Sequence, residues 1–224
     1  MFSYMNILKE KNYIPDTIID IGAHHGNWTN EVLQIFPESK YFLFEAINYE
    51  ELNRYNFFPN VKTYREVLLS DKIEEVNWYQ QKNTGDSMFR EKTHHFSNTE
   101  VIKRVSVDLD TFSFANNIFD YEPNNIFIKI DCQGAELKIL KGSKRILERT
   151  SVILLEVPIF GEYNEGAPTF SEYINFMDEI GFTILDITDK HFYQGFTYQA
   201  DVFFIKKTHV FNSLIKDVLY NIQS

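Results

Sequence analysis

Four acidic residues each close a short hydrophobic stretch of the chain: Asp20, Glu45, Asp131 and Glu156. The stretches are rich in Ile, Leu, Val and Phe, a composition typical of parallel strands that are buried on both faces. Because the carboxyl ends of parallel strands open on one edge of a sheet, these carboxylates are expected to converge there. A carboxylate at such an edge can accept hydrogen bonds from hydroxyl groups, pair with an ammonium group or take up a proton.

A turn with two glycines, Gly22-Ala23-His24-His25-Gly26, separates the first of these stretches from a predicted helix. Glycine lacks a Cβ atom, so the turn can be tight and a ligand can approach backbone N–H groups closely. Gly26 or Asn27 can cap the helix, whose positive end would point at the turn. The pattern predicts a site for a small polar ligand with an anionic part. His24 or His25 is expected to contact this ligand through its backbone, with a catalytic imidazole as the alternative.

The position of Glu45 indicates what the ligand carries. This residue lies 19 positions beyond Gly26, at the end of the second stretch, where an acid accepts hydrogen bonds from both hydroxyls of a ribose. The Gly-x-x-x-Gly spacing lacks the third glycine of a dinucleotide site, and Asp20 beside the turn would repel a pyrophosphate but attract an ammonium group. S-adenosylmethionine fits this charge pattern better than NAD does, and an NAD-type dinucleotide-binding oxidoreductase is the alternative.

Composition narrows the classes of function further. The 224 residues fit one domain with a sizeable core, and 22 basic against 32 acidic residues give a formal net charge of −10, which disfavours nucleic acid as a partner. Cys132 is the single cysteine, so no internal disulfide forms and a cytoplasmic location is expected. No stretch reaches the roughly 20 apolar residues of a membrane span, and the first residues do not resemble a signal peptide.

The elements that position the acids alternate between strands and helices. This alternation predicts an α/β fold with a mostly parallel sheet and helices on both faces. Residues 61–69 are expected to form one strand of that sheet. Residues 1–16 are interpreted as an N-terminal helix or arm, residues 17–207 as the ligand-binding domain and residues 208–224 as an amphipathic C-terminal helix.

Several motifs resemble those of FkbM-type methyltransferases. They are Asp20-x-Gly22-Ala23-x-x-Gly26, Phe44-Glu45, Leu69-Ser70-Asp71, Asp108-Leu109-Asp110-x-Phe112, Asp131-x-x-Gly134-Ala135-Glu136 followed by Lys141-Gly142, and Glu156 after Ile153-Leu154-Leu155. The resemblance covers about residues 17–206. It implies a class I methyltransferase (Rossmann-like) fold, with a seven-stranded sheet and an antiparallel last strand. It also implies S-adenosylmethionine as cofactor and methyl transfer to a hydroxyl group of a small metabolite, sugar or glycan.

One departure from the family pattern bears on activity. Gln133 stands where the family commonly has Glu, so a non-catalytic S-adenosylmethionine-binding module is a third hypothesis. Asp131 is the first candidate for a general base, with orientation of the cofactor as its alternative role. Glu156 is the second candidate, with a cap or a lysine partner as its alternative. A divalent metal between Asp131 and Glu156 also stays open, since hard oxygen ligands suit Mg²⁺.

The remaining expectations concern contacts in the site. The residues expected to contact the cofactor are Asp20, Gly22, Ala23, His24, Gly26, Glu45, Ala46, Val67 and Asp131. Gly85-Asp86-Ser87 of a hairpin loop is expected to cover the pocket, with an ordinary hairpin turn as the alternative. The loop at residues 161–168 is expected to rim the acceptor side. The aromatic residues expected to line that side are Phe160, Tyr163, Tyr193, Phe196 and Tyr198. The oligomeric state is left open.

Overall fold

A seven-stranded sheet forms the centre of the protein. The computed structural model describes residues 1–81, 85–93, 99–160 and 163–221. The strands of the central sheet are β1 (Thr17–Ile21), β2 (Lys40–Glu45), β3 (Val61–Arg65), β7 (Ile126–Ile130), β8 (Thr150–Pro158), β9 (Phe182–Tyr193) and β10 (Phe196–Lys206). Their order across the sheet is β3-β2-β1-β7-β8-β10-β9. Strand β10 runs antiparallel to its neighbours β8 and β9, and the other pairings are parallel. The predicted mostly parallel sheet with an antiparallel last strand is confirmed.

Helices connect the strands and cover both faces of the sheet. In the described part of the chain they are α1 (Phe2–Glu10), α2 (Asn27–Ile35), a 3₁₀ helix (Glu50–Phe57), α3 (Leu109–Ala115), α4 (Glu136–Lys141), α5 (Lys144–Arg149), α6 (Phe170–Glu179) and α7 (Val210–Asn221). None of the described helices is long and apolar enough to cross a lipid bilayer. The two faces of the sheet carry separate hydrophobic cores, because successive residues of a strand point to opposite sides. Ile18 packs with α1 and α2, whereas Ile19 and Ile21 pack with α4, α5 and α6.

A second sheet lies beside the end of β2. It is three-stranded and consists of β4 (Leu68–Ser70), β6 (Glu100–Asp108) and β5 (Glu74–Gln80), in that order. The prediction of one strand over residues 61–69 is wrong, because Glu66 adopts a left-handed conformation (φ 62°) that separates β3 from β4. Arg104 of β6 donates hydrogen bonds to the carbonyl oxygens of Ala46, at 2.6 Å, and Glu66, at 3.1 Å. These bonds attach the small sheet to the backbone that follows β2.

The turn after β1 depends on glycine at position 22. Gly22 has a positive φ of 74°, and a Cβ atom there would overlap the carbonyl oxygen of Asp131, which follows β7. We therefore expect Gly22→Ala to lower the free energy of unfolding by about 3 kcal/mol, from left-handed backbone strain and overpacking together. Gly195→Ala is the matched control, since Gly195 also has a positive φ (87°) but open space around it. Chemical denaturation measures both losses. Equal losses for the two variants would contradict the steric argument.

Candidate functional site

A large cavity opens at the carboxyl edge of the central sheet, within the described part of the chain. Its volume is about 870 Å³, near the upper end of the roughly 300–1,000 Å³ typical of small-molecule sites. It lies where the turns after β1 and β7 meet. The strand order reverses between these two strands, which is where open α/β sheets bind ligands. Three of the four predicted strand-end acids line the cavity: Glu45, Asp131 and Glu156.

Glu45 is held rigidly at the end of β2. The backbone N–H of His24 donates to its Oε2 atom at 2.7 Å, and the backbone N–H of Ile47 donates to its Oε1 atom at 2.9 Å. The residue is 8% exposed, and burial raises its pKa while the two N–H groups act in the opposite direction. Each carboxylate oxygen has room for a second hydrogen bond. The cavity-facing carboxylate can therefore accept two further donors, which is the geometry that a vicinal diol needs.

Only some residues of the turn after β1 line the cavity. Gly22 and His24 line the cavity, but Ala23 and Gly26 do not. The space beside Gly26 is filled by the ring of Tyr55, whose hydroxyl donates a hydrogen bond to the Gly26 carbonyl oxygen. Ala23 and Gly26 are therefore set back from this cavity, and their contacts with a ligand stay predictions. Burial lowers the pKa of His24, and its backbone N–H is the group that contacts Glu45.

Asp20 lies under the cavity rather than in its wall. It is fully buried and accepts a hydrogen bond from the Thr29 hydroxyl at 2.6 Å. The Nζ atom of Lys129 lies 3.1 Å from Asp20 and 3.7 Å from Asp131, and it donates to the Gly22 carbonyl oxygen at 2.8 Å. Contact between Asp20 and the ligand stays a prediction, and in this structure the carboxylate is paired with a buried ammonium group.

Lys129 is a site residue that sequence reasoning missed. Its side chain is 9% exposed. Burial acts to lower its pKa, but the charges of Asp20 and Asp131 outweigh burial and leave the pKa raised. It is therefore a permanent cation under the turn. A signal for this pair existed: Asp20 and Lys129 occupy the fourth position of two five-residue strands, and parallel pairing places them side by side.

A hydrogen-bonded network joins the acids on the other side of the cavity. The Nε2 atom of Gln133 donates to Asp131 Oδ1 at 3.2 Å and to Glu156 Oε2 at 2.8 Å. The other oxygen of Glu156 accepts from Gln199 Nε2, and the hydroxyl of Tyr163 donates to Gln199 Oε1 at 2.7 Å. Burial, followed by the charge of Asp131, raises the pKa of Glu156 well above its usual value. Gln133 therefore positions two catalytic candidates in this chain, and each oxygen of Glu156 accepts one amide hydrogen bond.

This network bears on the metal alternative. The Gln133 amide nitrogen occupies the space between Asp131 and Glu156, where the metal hypothesis places an ion. A different group, Glu156 with His191 and Asp201, brings three ligand atoms within 4.8 Å of one another. Carboxylate and imidazole groups that suit a metal are therefore present among the described side chains. In this structure, however, each oxygen of Glu156 already accepts one hydrogen bond from a side-chain amide.

Asp201 gives a stability prediction with a defined pH range. Burial, followed by the charge of Asp131, raises its pKa to about 6, whereas an exposed aspartate titrates near about 3.9. Ionisation of Asp201 therefore lowers the free energy of unfolding, and this loss develops between pH 4 and 6 as the pH rises. We expect Asp201→Asn to be more stable than the natural protein by about 1 kcal/mol at pH 8, after allowance for solvent screening.

Urea denaturation at both ends of this pH range measures the effect. The gain should fall to a small part of this value at about pH 4, where Asp201 is protonated in the folded state and about half protonated in the unfolded state. Asp120→Asn, at an exposed position, is the control and should show no such pH dependence. A gain of the same size at both pH values would contradict a titration effect.

The two ends of the cavity differ in chemistry. The end near β2 and the small sheet is mainly apolar and is lined by Phe44, Val67, Leu68, Leu69 and Trp78, together with Ala46 and Ile47. Trp78 was not predicted, because it belongs to a strand of the second sheet. The end near β8, β10 and β9 is lined by aromatic rings: Phe160, Tyr163, Phe192, Tyr193 and Tyr198. Phe196 is not in the wall but stacks on Phe160, with ring centroids 6.3 Å apart.

The two predicted covering loops are described in part. Gly85 and Asp86 line the cavity, and the Asp86 carboxylate accepts a hydrogen bond from the backbone N–H of Gln81 at 2.8 Å. Residues 82–84 and 161–162 lie outside the described residues. Asn164 of the second loop donates to the Gln133 carbonyl oxygen at 2.8 Å, which fixes that loop against the turn after β7.

Comparison with known proteins is consistent with this geometry. A family profile described as a methyltransferase FkbM domain matches residues 20–184. Methyltransferase FkbM from Methylobacillus flagellatus KT superposes with a TM-score of 0.50 at 14% identity, over 85% of this chain and 43% of that chain. This chain therefore spans less than half of that protein. No curated protein sequence is matched.

Two further solved structures share the architecture at lower scores. Precorrin-6y C5,15-methyltransferase from Geobacter metallireducens GS-15 has a TM-score of 0.44 at 14% identity, over 92% of this chain and 88% of that chain. The second is 1,6-didemethyltoxoflavin-N1-methyltransferase of Burkholderia thailandensis, which was solved with S-adenosylhomocysteine bound. It has a TM-score of 0.47 at 12% identity, over 92% of this chain and 77% of that chain. The likeness to the Methylobacillus structure shows the class I methyltransferase fold. Since the family profile matches well over half of the chain, this protein belongs to the FkbM methyltransferase family.

Proposed function

We propose that the protein transfers a methyl group from S-adenosylmethionine to a hydroxyl group of a small metabolite, sugar or glycan. The observation that carries the proposal is Glu45, which faces the cavity with each oxygen held by one backbone N–H group. This arrangement leaves acceptor capacity for the two hydroxyls of a ribose. The volume of the cavity, about 870 Å³, also fits a cofactor together with a small acceptor.

The other lining residues fit the same cofactor. Val67, Leu69 and Trp78 form an apolar wall beside Glu45 that suits an adenine ring. Asp131, two strands away from Glu45, suits the positively charged end of the molecule. When bound, S-adenosylmethionine supplies a methyl group on a sulfonium, which is already a good leaving group.

In the proposed reaction, the side chains of the protein position the acceptor and take up its hydroxyl proton. Methyl transfer needs the acceptor oxygen held in line with the methyl group and the sulfur. Asp131 is the candidate base that takes the hydroxyl proton, a role worth roughly 10²–10⁴-fold in rate. Its Oδ1 atom accepts from Gln133, and its Oδ2 atom lies 3.7 Å from the Lys129 ammonium group. These two contacts orient the carboxylate towards the cavity. Glu156, whose two oxygens each accept one amide hydrogen bond, lies on the acceptor side.

Release of S-adenosylhomocysteine over a panel of hydroxyl compounds tests the proposal. We expect release that depends on both the protein and the acceptor, and that stops when the acceptor hydroxyl is replaced by hydrogen. A parallel reaction with a chelator distinguishes metal-dependent from metal-independent transfer. Transfer only to amine or carbon acceptors would contradict O-methylation, and absence of release with any acceptor would favour the non-catalytic module.

A further inference from the structure

The acceptor end of the cavity combines aromatic rings with carboxylates. Glu156 lies in its wall, and Glu91 lines the same end, since its backbone bridges to Asn164, whose side chain contacts the turn after β7. Tyr198 also lines this end: burial raises the pKa of its hydroxyl, and the charges of Glu156 and Glu91 add to that effect. Tyr163 packs edge-on against Tyr198, with ring centroids 6.1 Å apart.

Among the described lining residues of the cavity, the side chains that carry a formal charge are all acidic. The acidic residues in the wall are Glu45, Asp86, Glu91, Asp131 and Glu156, and no lysine or arginine is among the described lining residues. Lys129 lies beneath the turn, where it contacts Asp20, the Gly22 carbonyl oxygen and Asp131. The ion pairs of the described residues include neither Glu91 nor Glu156. An anionic group placed beside Glu91 and Glu156 would meet charge of the same sign in a partly desolvated site.

Aromatic faces next to carboxylates are the surroundings that stabilise an ammonium group. The ring quadrupole attracts a cation, and a nearby carboxylate pairs with it after partial desolvation. The proposed function uses Glu45 for the cofactor and Asp131 for the cofactor and the acceptor hydroxyl, so Glu91 and Glu156 remain for an ammonium group of the acceptor. A cation between them would also relieve the repulsion that Glu156 experiences from Asp131.

We propose that the acceptor carries a positively charged amino group near the hydroxyl that is methylated, and that phosphorylated and carboxylated acceptors are rejected. This inference rests on the proposed function, because it assigns Glu45 and Asp131 to the cofactor. It narrows the acceptor to hydroxyl compounds with an ammonium group and a face that can stack on an aromatic ring. Amino sugars and hydroxylated aromatic amines have both features.

Calorimetric titration with matched probes tests the charge preference without turnover. The protein is first titrated with S-adenosylhomocysteine and then, at saturation, with two sets of probes. One set is tyramine, 4-ethylphenol and 3-(4-hydroxyphenyl)propionate; the other is glucosamine, glucose and glucose 6-phosphate. We expect the ammonium member of at least one set to bind roughly tenfold more tightly than its neutral partner, and the anionic members not to bind.

The outcomes separate this inference from the proposed function. If the natural protein does not bind S-adenosylhomocysteine, the proposed function itself is contradicted. With that binding intact, neutral or anionic probes that bind as well as the ammonium probes, or no binding by either set, would overturn the charge assignment. Glu91→Gln should lower the affinity for the ammonium probe roughly fivefold and leave the neutral probe unchanged. Glu179→Gln, at an exposed position on α6, is the control and should change neither.

Discussion

Replacement of Glu45 by alanine is expected to weaken S-adenosylhomocysteine binding about 100-fold, because two charge-assisted hydrogen bonds to the ribose are lost. The same carboxylate fixes the N–H groups of His24 and Ile47, so the variant also loosens the turn that forms the cavity wall. Calorimetric titration measures the dissociation constants of the natural protein and the variant. Circular dichroism and thermal unfolding establish that the variant is folded at the temperature of the titration.

Two further variants make this result specific. Glu45→Gln keeps the size of the side chain and one carbonyl acceptor, so it should fall between the natural protein and Glu45→Ala. Glu50→Ala, at an exposed position of the 3₁₀ helix, should bind like the natural protein. Unchanged affinity in a folded Glu45→Ala variant would place the ribose elsewhere and remove the main support for the cofactor site.

Replacement of Lys129 by methionine is expected to lower the free energy of unfolding by about 3–5 kcal/mol, because it leaves the buried Asp20 carboxylate without its ion pair. Asp20 is fully buried, and its partner Nζ atom lies 3.1 Å away. Chemical denaturation measures the loss. Lys138→Met is the control, because Lys138 is 38% exposed and its pairing with Asp71, at 3.6 Å, should contribute less than about 1 kcal/mol.

The double variant Asp20→Asn with Lys129→Met tests the cause of that loss. Neutralising both partners removes the unpaired buried charge, so the double variant should recover a large part of the stability. It also provides a folded protein for comparison if Lys129→Met alone does not fold. A double variant no more stable than Lys129→Met would show that the lysine acts through packing rather than through Asp20.

The positions of most strands along the chain, and the acidic residues at their ends, could be predicted because hydrophobic runs and turn residues are local signals. Glu45, Asp131 and Glu156 follow or end such runs, and parallel pairing brings them to one cavity. Asp20 belongs to the same pattern but lies one residue before the end of β1. Since side chains alternate along a strand, it faces α2 together with Ile18 rather than the cavity.

The remaining site residues come from pairings that are distant in sequence. Trp78 reaches the cavity only because the left-handed backbone at Glu66 sends β4 into a second sheet. Gln199 reaches Glu156 through the antiparallel pairing of β10 with β8. Neither register can be inferred from hydrophobic periodicity, because the periodicity identifies a strand but not its neighbour. In the aromatic lining of the acceptor end, Phe192 of β9 is the ring that the sequence analysis did not name.

Titration of the natural protein with S-adenosylhomocysteine, followed by a separate titration with NADH, tests the central claim most directly. We predict one molecule of S-adenosylhomocysteine bound per chain with a dissociation constant on the order of micromolar, equivalent to about −8 kcal/mol, and no binding of NADH. Binding of NADH in place of S-adenosylhomocysteine, or of neither compound, would contradict it.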